Sequence, residues 1–434
     1  MTTAMEARRG AFAALRSRDY ALFWCAAIVS NSGTWMQTIT VPYVIFQLTH
    51  SSTWVGFSAF MAFGPALLVG PLAGSIADRF PRKQVVLVTQ ALMMVFAFVL
   101  WAMWTSGVAT PGLIVANLFL SGLAAGINIT AWQSFVPQLV PRELMLNAIR
   151  LNSMQFTAAR AFGPALAGLV LAEFGPSAAF LVNAVTYVLV IAALIAVHPR
   201  PVEVSATTVP FMQHFRAGLA YVRERHALVL PVVTIAVLSF FGSSVIQLSA
   251  PIASRVFDVG KAEYGLLVAA FGAGAVLGSL FTLAYGDRLR RSRLALTGLL
   301  VFTAGEILLG SAPTFLVGLV GLAAMGVAYI LVAVSLNTSI QARVDESHRG
   351  RVLSIYLMGL LAGVPLGALA GGAIAEAVGL RATVIGGGVI LGMFAIVAVV
   401  VFHSMRPLDE SLEDTERIRA DALLTNQPAI AGAD

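Results

Sequence analysis

Apolar residues run through this chain in long, nearly uninterrupted stretches, which are separated by short segments containing Gly, Pro or Arg. A helix needs about 20 mainly apolar residues to cross a bilayer. The stretches therefore predict twelve membrane-spanning helices, with one longer break at about 198–227. The predicted spans are 21–47, 54–77, 84–105, 111–136, 150–172, 176–197, 228–254, 263–286, 294–312, 314–341, 350–375 and 380–403.

The break in the middle of the chain has a different pattern. Phe211, Phe215, Leu219 and Val222 recur at a spacing that places them on one face of a helix. Apolar residues on one face and basic residues on the other are typical of an amphipathic helix that lies on a membrane surface. We therefore predict a cytoplasmic linker with a surface helix at this point.

An internal repeat relates the two sides of this linker. A shift of 209 residues brings glycine, proline and aspartate positions into register at equivalent places in the spans. The aligned pairs are Gly33 with Gly242, Pro42 with Pro251, Gly56 with Gly265, and Asp78 with Asp287. Parallel repeats of this kind place a substrate site near the bilayer midplane, between the halves. We predict a six-helix half at 1–197, the linker at 198–227, a second six-helix half at 228–403 and a disordered cytoplasmic tail at 404–434.

Composition excludes a soluble protein. Hydrophobic residues make up 58% of the 434 positions and charged residues only 11%, whereas a soluble domain carries about 25% charged residues. The net charge of +6 lies in short segments between apolar stretches, which argues against nucleic-acid binding. The single cysteine, Cys25, rules out an intrachain disulfide.

The distribution of basic residues predicts the orientation of the chain. If the termini and alternate loops are assigned to one side, that side holds 23 of the 27 Lys and Arg residues. The other side holds only Arg255, Lys261 and Arg381, and Arg160 lies within a span. Because basic loops stay in the cytoplasm, both termini are predicted to be cytoplasmic.

The loop between predicted spans two and three reads GSIADRFPRK, and a shorter copy, YGDRLRR, follows predicted span eight. These segments resemble the loop signature of the major facilitator superfamily, with Pro81 where the signature has glycine. The resemblance implies a cytoplasmic gate, in which Asp78 accepts hydrogen bonds from a neighbouring helix N-terminus and the cations pair with carboxylates across the halves. Alternatively, these Arg and Lys residues only set the orientation of the chain in the membrane. That alternative does not explain why an Asp accompanies them in both copies. The predicted gate residues are Gly74, Asp78, Arg79, Arg82, Lys83, Asp287, Arg288 and Arg291.

Further segments narrow the resemblance. The stretches 41–56 and 77–83, together with Arg160, Gly163, Pro164 and Gly168, are similar to the enterobactin-exporter branch of the superfamily and to its macrolide-efflux relatives. This implies an all-α membrane protein with twelve helices in two pseudo-symmetric six-helix bundles, located in a bacterial inner membrane. It also implies proton-driven export of a small amphipathic molecule, either a siderophore or a drug-like compound.

Polar and aromatic side chains inside the spans mark candidate positions of the transport pathway, because such groups usually face the bundle interior. Several recur on one helical face, and the family resemblance implies that helices 1, 4, 7 and 10 line the cavity with a contribution from helix 5. An interhelical hydrogen bond is the alternative role for any one of them. The predicted substrate-binding residues are Asn31, Thr34, Gln37, Asn128, Trp132, Phe156, Arg160, Phe240, Ser243, Gln247 and Asn337.

Two charged residues lie well inside predicted spans. Arg160 is the only cation there and requires a partner or an anionic ligand, because an arginine at the bilayer centre costs about 3 kcal/mol or more. Glu306 is the only acid there. Both are candidates for proton coupling, with a structural ion pair as the alternative for each.

Two other functions stay open at this point. The same fold could import an organic nutrient or anion, or it could act as a membrane receptor or sensor. An enzyme is not expected, and the chain contains no phosphate-binding P-loop pattern for ATP-driven transport. We expect no cofactor and no metal, a small-molecule substrate, protons as the coupling ion, and a monomer in the bilayer.

Overall fold

The computed structural model describes residues 12–200, 211–344, 346–401 and 405–409. Within these ranges the side chains of Gly74, Asp78, Arg160, Ser243 and Asp287 lie outside the described part. The described residues form helices and short connections, and no strand occurs among them.

Thirteen α-helices of five or more residues occur in the described part of the chain. In the N-terminal half they are α1 (Arg18–Thr49), α2 (Ser52–Arg79), α3 (Arg82–Thr105), α4 (Pro111–Phe135) and α5 (Met145–Ala196). The linker contains α6 (Phe211–Glu224). The C-terminal half contains α7 (His226–Val237), α8 (Ser243–Gln247), α9 (Lys261–Tyr285), α10 (Arg291–Ser311), α11 (Phe315–Arg343), α12 (Glu346–Val378) and α13 (Leu380–Val401). Short 3-10 turns lie at Ala13–Arg16, Val136–Leu139, Arg142–Leu144, Gly286–Arg288 and Arg406–Leu408.

Ten helical segments among the described residues are long and apolar enough to cross a membrane. Helix α1 lies outside these ten, and α5 contributes one of them although its 52 residues include a break. The break is at Gly175, whose φ of 75° is outside the helical region, and Pro176 follows it. Glycine adopts a positive φ without steric cost and proline cannot donate a backbone hydrogen bond, so the chain turns there. The multi-span helical architecture is confirmed, and the count of twelve spans stays a prediction.

One segment of the C-terminal half alternates between helix types. After α7 the chain continues as a π-helix over Leu238–Gly242, then as α8, a helical turn at Ser249–Pro251 and a second π-helix over Ile252–Val256. The sequence pattern predicts one continuous span at 228–254 and gives no sign of these interruptions. A π-helix holds one more residue per hydrogen-bonded turn, so it displaces the side chains that follow it.

The linker helix α6 packs against α12. Gly218 lies next to Arg351 and Ile355, and the Tyr221 ring stacks on His348 with centroids 4.4 Å apart. Arg225 covers the Tyr221 ring with its guanidinium carbon 3.6 Å from the centroid. The buried face of α6 therefore contacts the C-terminal half of the protein.

The two halves meet through the helix pairs α2–α12 and α5–α9. Gly168 and Gly265 face each other so closely that a Cβ on Gly168 would lie 2.2 Å from the Gly265 carbonyl oxygen. A Cβ on Gly56 would lie 2.1 Å from the Ala368 carbonyl oxygen. Because glycine lacks a side chain, the backbones of the two halves approach each other directly at these points.

We name the two ends of the bundle after residues that lie there. The His50 end carries His50, Arg255 and Glu376, and the Arg79 end carries the predicted gate loops. Charge distribution predicts that the His50 end is external and the Arg79 end is cytoplasmic.

Candidate functional site

The predicted pathway face of α1 contacts the second part of α5. Gln37 accepts a hydrogen bond of 2.7 Å at Oε1 from the Asn183 amide, and the Thr34 hydroxyl lies 3.1 Å from the Tyr187 hydroxyl. Asn31 differs, since its buried Nδ2 has no hydrogen-bond partner among the described residues. Of the three candidates on α1, Asn31 is therefore the one with a buried donor that has no partner among the described residues.

A similar arrangement exists between α4 and its neighbours. Asn128 accepts a hydrogen bond of 2.9 Å from the Thr89 hydroxyl on α3. The Trp132 indole N–H donates to Asn152 Oδ1 at 3.0 Å, and its ring lies 4.5 Å from the Phe23 ring centroid. Asn128 and Trp132 thus tie helices together within the N-terminal half. Sequence periodicity identifies their face but not these partners.

Phe156 on α5 is the exposed member of this aromatic group. Its side chain is 40% exposed, and its ring centroid lies 6.1 Å from that of Trp132. An exposed ring next to a buried indole offers an apolar surface to a ligand. The side chain of Arg160, one turn further along α5, lies outside the described part.

The C-terminal half contributes fewer described candidates. Phe240 lies in the first π-helix with its ring 4.9 Å from that of Phe241, and Gln247 at the end of α8 is buried. Asn337 on α11 accepts a hydrogen bond from Gln341, which lies one turn further along the same helix. The Ser243 side chain lies outside the described part. The assignment of all these residues to substrate binding stays a prediction.

Glu306, on α10, is completely buried against α13 and the first π-helix. Neither carboxylate oxygen has a hydrogen-bond partner among the described residues. On α13, Gly387 lies close to this carboxyl group. A Cβ added to Gly387 would be 2.7 Å from Glu306 Oε1 and 3.6 Å from the Phe241 carbonyl oxygen. Burying a carboxyl group in such surroundings costs free energy unless it is hydrogen-bonded.

The predicted gate residues lie at the ends of their helices. Lys83 donates hydrogen bonds to the carbonyl oxygens of Ile195, at 3.3 Å, and Val197, at 2.8 Å. A cation at the C-terminal end of α5 is favourable because the helix dipole is negative there. Arg79 and Arg288 are exposed, and Arg82 and Arg291 are half-buried. The side chains of Gly74, Asp78 and Asp287 are not described, and the gate role of this group stays a prediction.

Sequence reasoning missed the contacts that join the halves at the His50 end. Glu376 forms an ion pair with Arg255 and accepts a hydrogen bond of 2.8 Å from the Ser52 backbone N–H. The Tyr264 hydroxyl donates to the Ile39 carbonyl oxygen at 2.7 Å, and its ring stacks on Tyr43. Basic and acidic residues near predicted loop ends were visible in the sequence, but their pairing was not.

Similar sequences are transporters. The staphyloferrin A transporter of Staphylococcus aureus is 22% identical over 91% of this chain and 98% of its own length. The enterobactin exporter EntS of Salmonella paratyphi A is 26% identical over 76% of this chain and 79% of its own length.

Solved structures agree in fold. An inward-facing, occupied bacterial homologue of the human lysosomal transporter Spinster superposes with a TM-score of 0.72 at 15% identity, covering 91% of this chain and 98% of that one. A D-xylose–proton symporter superposes with a TM-score of 0.67 at 17% identity, covering 92% and 98%. At these identities the likeness shows the fold alone.

A protein-family model matches the chain over nearly its whole length. The model described as "Transmembrane secretion effector", of the major facilitator superfamily, matches residues 9–427. This confirms the resemblance seen in the gate loops. The chain is therefore a multi-pass membrane transporter rather than an enzyme, and it belongs to the transmembrane secretion effector family of the major facilitator superfamily.

Proposed function

We propose that this protein exports a small amphipathic molecule, a siderophore or a drug-like compound, from the bacterial cytoplasm across the inner membrane by proton-coupled alternating access. The observation that carries the proposal is the way the halves meet. Every hydrogen bond between the two six-helix halves that the structure describes lies toward the His50 end. A bundle that is closed at its predicted external end can take up its substrate from the cytoplasm.

The names of the relatives support the choice of substrate. One is an enterobactin exporter and the other a staphyloferrin A transporter. Both names point to a small-molecule substrate of the siderophore class. We propose that Phe156 and Asn31 contact such a substrate, because they offer an exposed ring and an unused amide donor. Arg160 is the candidate that would pair with an anionic group on it.

Glu306 is the candidate proton carrier. A buried carboxyl group that has no partner among the described residues can exchange a proton only when a conformational change brings water to it, which is a requirement for coupling. Its neighbours Phe241 and Gly387 belong to different helical segments, so a relative movement of these segments would alter its access to water. Arg160 remains the alternative coupling residue.

Transport direction can be tested in membrane vesicles of defined orientation. Inverted vesicles with an acid lumen should accumulate radiolabelled enterobactin or the dye ethidium, and an uncoupler should abolish this uptake. Right-side-out vesicles should accumulate neither compound. Uptake confined to right-side-out vesicles would instead identify an importer, and binding without uptake in either orientation would identify a receptor.

A further inference from the structure

The turn between α1 and α2 offers one acceptor and one donor to the opposite half. His50 ends α1 in a left-handed conformation with φ 49° and ψ 27°, and its N–H bonds to the Phe46 carbonyl oxygen at 2.8 Å. The chain then becomes extended at Ser51, and α2 begins at Ser52. The turn thereby presents the His50 carbonyl oxygen and the Ser52 N–H.

Two side chains of the C-terminal half bind these groups. Glu376, near the end of α12, accepts the Ser52 N–H at 2.8 Å through Oε2. Arg255, in the second π-helix, donates to the His50 carbonyl oxygen and pairs with Glu376 at 3.4 Å. The Arg255 guanidinium also lies over the Phe46 ring, 5.4 Å from its centroid. Glu376 and Arg255 therefore hold the α1–α2 turn from two separate elements of the other half.

The charges at this contact attract each other. Ser52 is the first residue of α2, so its N–H makes no hydrogen bond within that helix. It lies at the positive end of the helix dipole, where a carboxylate is stabilised. Glu376 and Arg255 form the only ion pair among the residues that the structure describes. Their side chains are 40% and 38% exposed, so water can solvate both charges when the contact breaks. Such a pair stabilises closure modestly and does not prevent opening.

We propose that Glu376 and Arg255 form a latch that holds the transporter closed at the His50 end and is released each time this end opens. The inference rests on the alternating access proposed above. It also gives a function to the antiparallel packing of α2 on α12. Asp78 lies near the C-terminal end of α2, at the end of the bundle where α12 begins. The latch is the counterpart of that predicted gate at the opposite end of the same helix pair.

Distances between spin labels in the purified, full-length protein test the latch. Labels at Ser106→Cys and Ser311→Cys, in a Cys25→Ser background, report the separation of α3 and α10 at the His50 end, and both serines are exposed. The parent protein should show mainly a short distance. Glu376→Gln and Arg255→Gln should each raise the population with a longer distance by about threefold to tenfold, because each removes a charge-assisted contact.

A double variant tests whether the two residues act as one unit. If they do, combining Glu376→Gln with Arg255→Gln should shift the population little further than the more effective single variant. Glu173→Gln is the matched control. Glu173 is an exposed acid in the N-terminal half, and it lies near the predicted external end of span five, as Glu376 does for span eleven. It should leave the distances unchanged.

Two results would overturn the latch. One is an unchanged distance distribution in both single variants, and the other is an equal shift in the Glu173→Gln control. The measurement needs no substrate and no proton gradient. A negative result would therefore remove the latch and leave the export proposal to be decided by vesicle uptake.

Discussion

Predicted spans one and seven occupy equivalent positions in the two halves, but their backbones differ. At a shift of 209 residues, Gly33 and Pro42 of α1 match Gly242 and Pro251. Helix α1 runs as one α-helix of 32 residues through both positions. In the other half, Gly242 ends one π-helix and Pro251 directly precedes another. Two residues alone therefore do not decide whether the span is interrupted.

The surroundings explain part of this difference. Helix α1 is fixed along α5 by the hydrogen bonds of Gln37 and Thr34. The interrupted span instead has buried hydroxyl groups at Thr234 and Ser239 that have no hydrogen-bond partner among the described residues. It also borders the Glu306 carboxyl group, for which the described part of the chain supplies no hydrogen-bond partner. Because π-helical turns are frequent at functional sites, we expect the C-terminal half to carry the coupling movement and the N-terminal half to serve as the more regular support.

Glu306→Gln should have the largest effect. At the same shift of 209 residues, the position equivalent to Glu306 is the buried Ala97, so the acid belongs to the C-terminal half only. The amide is similar in size but does not release a proton at physiological pH, so gradient-driven uptake into inverted vesicles should be abolished. Equilibrium binding of labelled enterobactin should be retained. Glu173→Gln is the control, and unchanged transport in Glu306→Gln would remove Glu306 from the coupling mechanism.

The pair Gly242→Ala and Gly33→Ala tests the interrupted span directly. A Cβ at Gly242 would lie 2.4 Å from the buried Phe302 ring, and one at Gly33 would lie 2.5 Å from the Thr186 hydroxyl. Both should lower stability by about 1–3 kcal/mol through overpacking, measured as a shift in thermal unfolding in detergent.

Transport should separate the two glycine variants. After correction for the amount of folded protein, Gly242→Ala should reduce uptake far more than Gly33→Ala, because it alters the π-helical segment next to Glu306. Equal losses of transport would mean that the interruption has no special part in the movement.

Tyr187→Phe should have the smallest effect. It removes the hydroxyl that contacts Thr34, but the Thr34 hydroxyl keeps its bond to the Ser30 carbonyl oxygen at 3.1 Å. Hydrogen bonds between membrane helices contribute on average about 0.6 kcal/mol. A small decrease in unfolding temperature with nearly normal uptake is expected, and a complete loss of transport would show that this part of α1 does more than support the bundle.

Much of the architecture could be predicted from the sequence, because length and hydropathy are local properties. The predicted end of one span at 172 and start of the next at 176 bracket the break at Gly175. The π-helices could not be predicted in this way, since an apolar stretch has the same composition whether its hydrogen bonds follow the α or the π pattern.

The candidate site was less predictable. Periodicity placed Thr34 on one face of α1 with Gln37 near its edge, but only the fold shows that Tyr187 and Asn183 contact these side chains. Glu306 was identified as the single acid well inside a span, but its complete burial depends on the packing of α13. Pairing across the halves, as between Glu376 and Ser52, involves residues 324 positions apart and has no local signal.

Proton movement on addition of substrate is the most direct test of proton-coupled export. Inverted vesicles that contain the protein are first acidified, and lumenal pH is followed with a fluorescent amine while enterobactin is added. Enterobactin should make the lumen less acidic in vesicles with the parent protein and not in vesicles with Glu306→Gln. A lumenal pH that does not respond in the parent protein, while labelled enterobactin still accumulates, would contradict proton-coupled export.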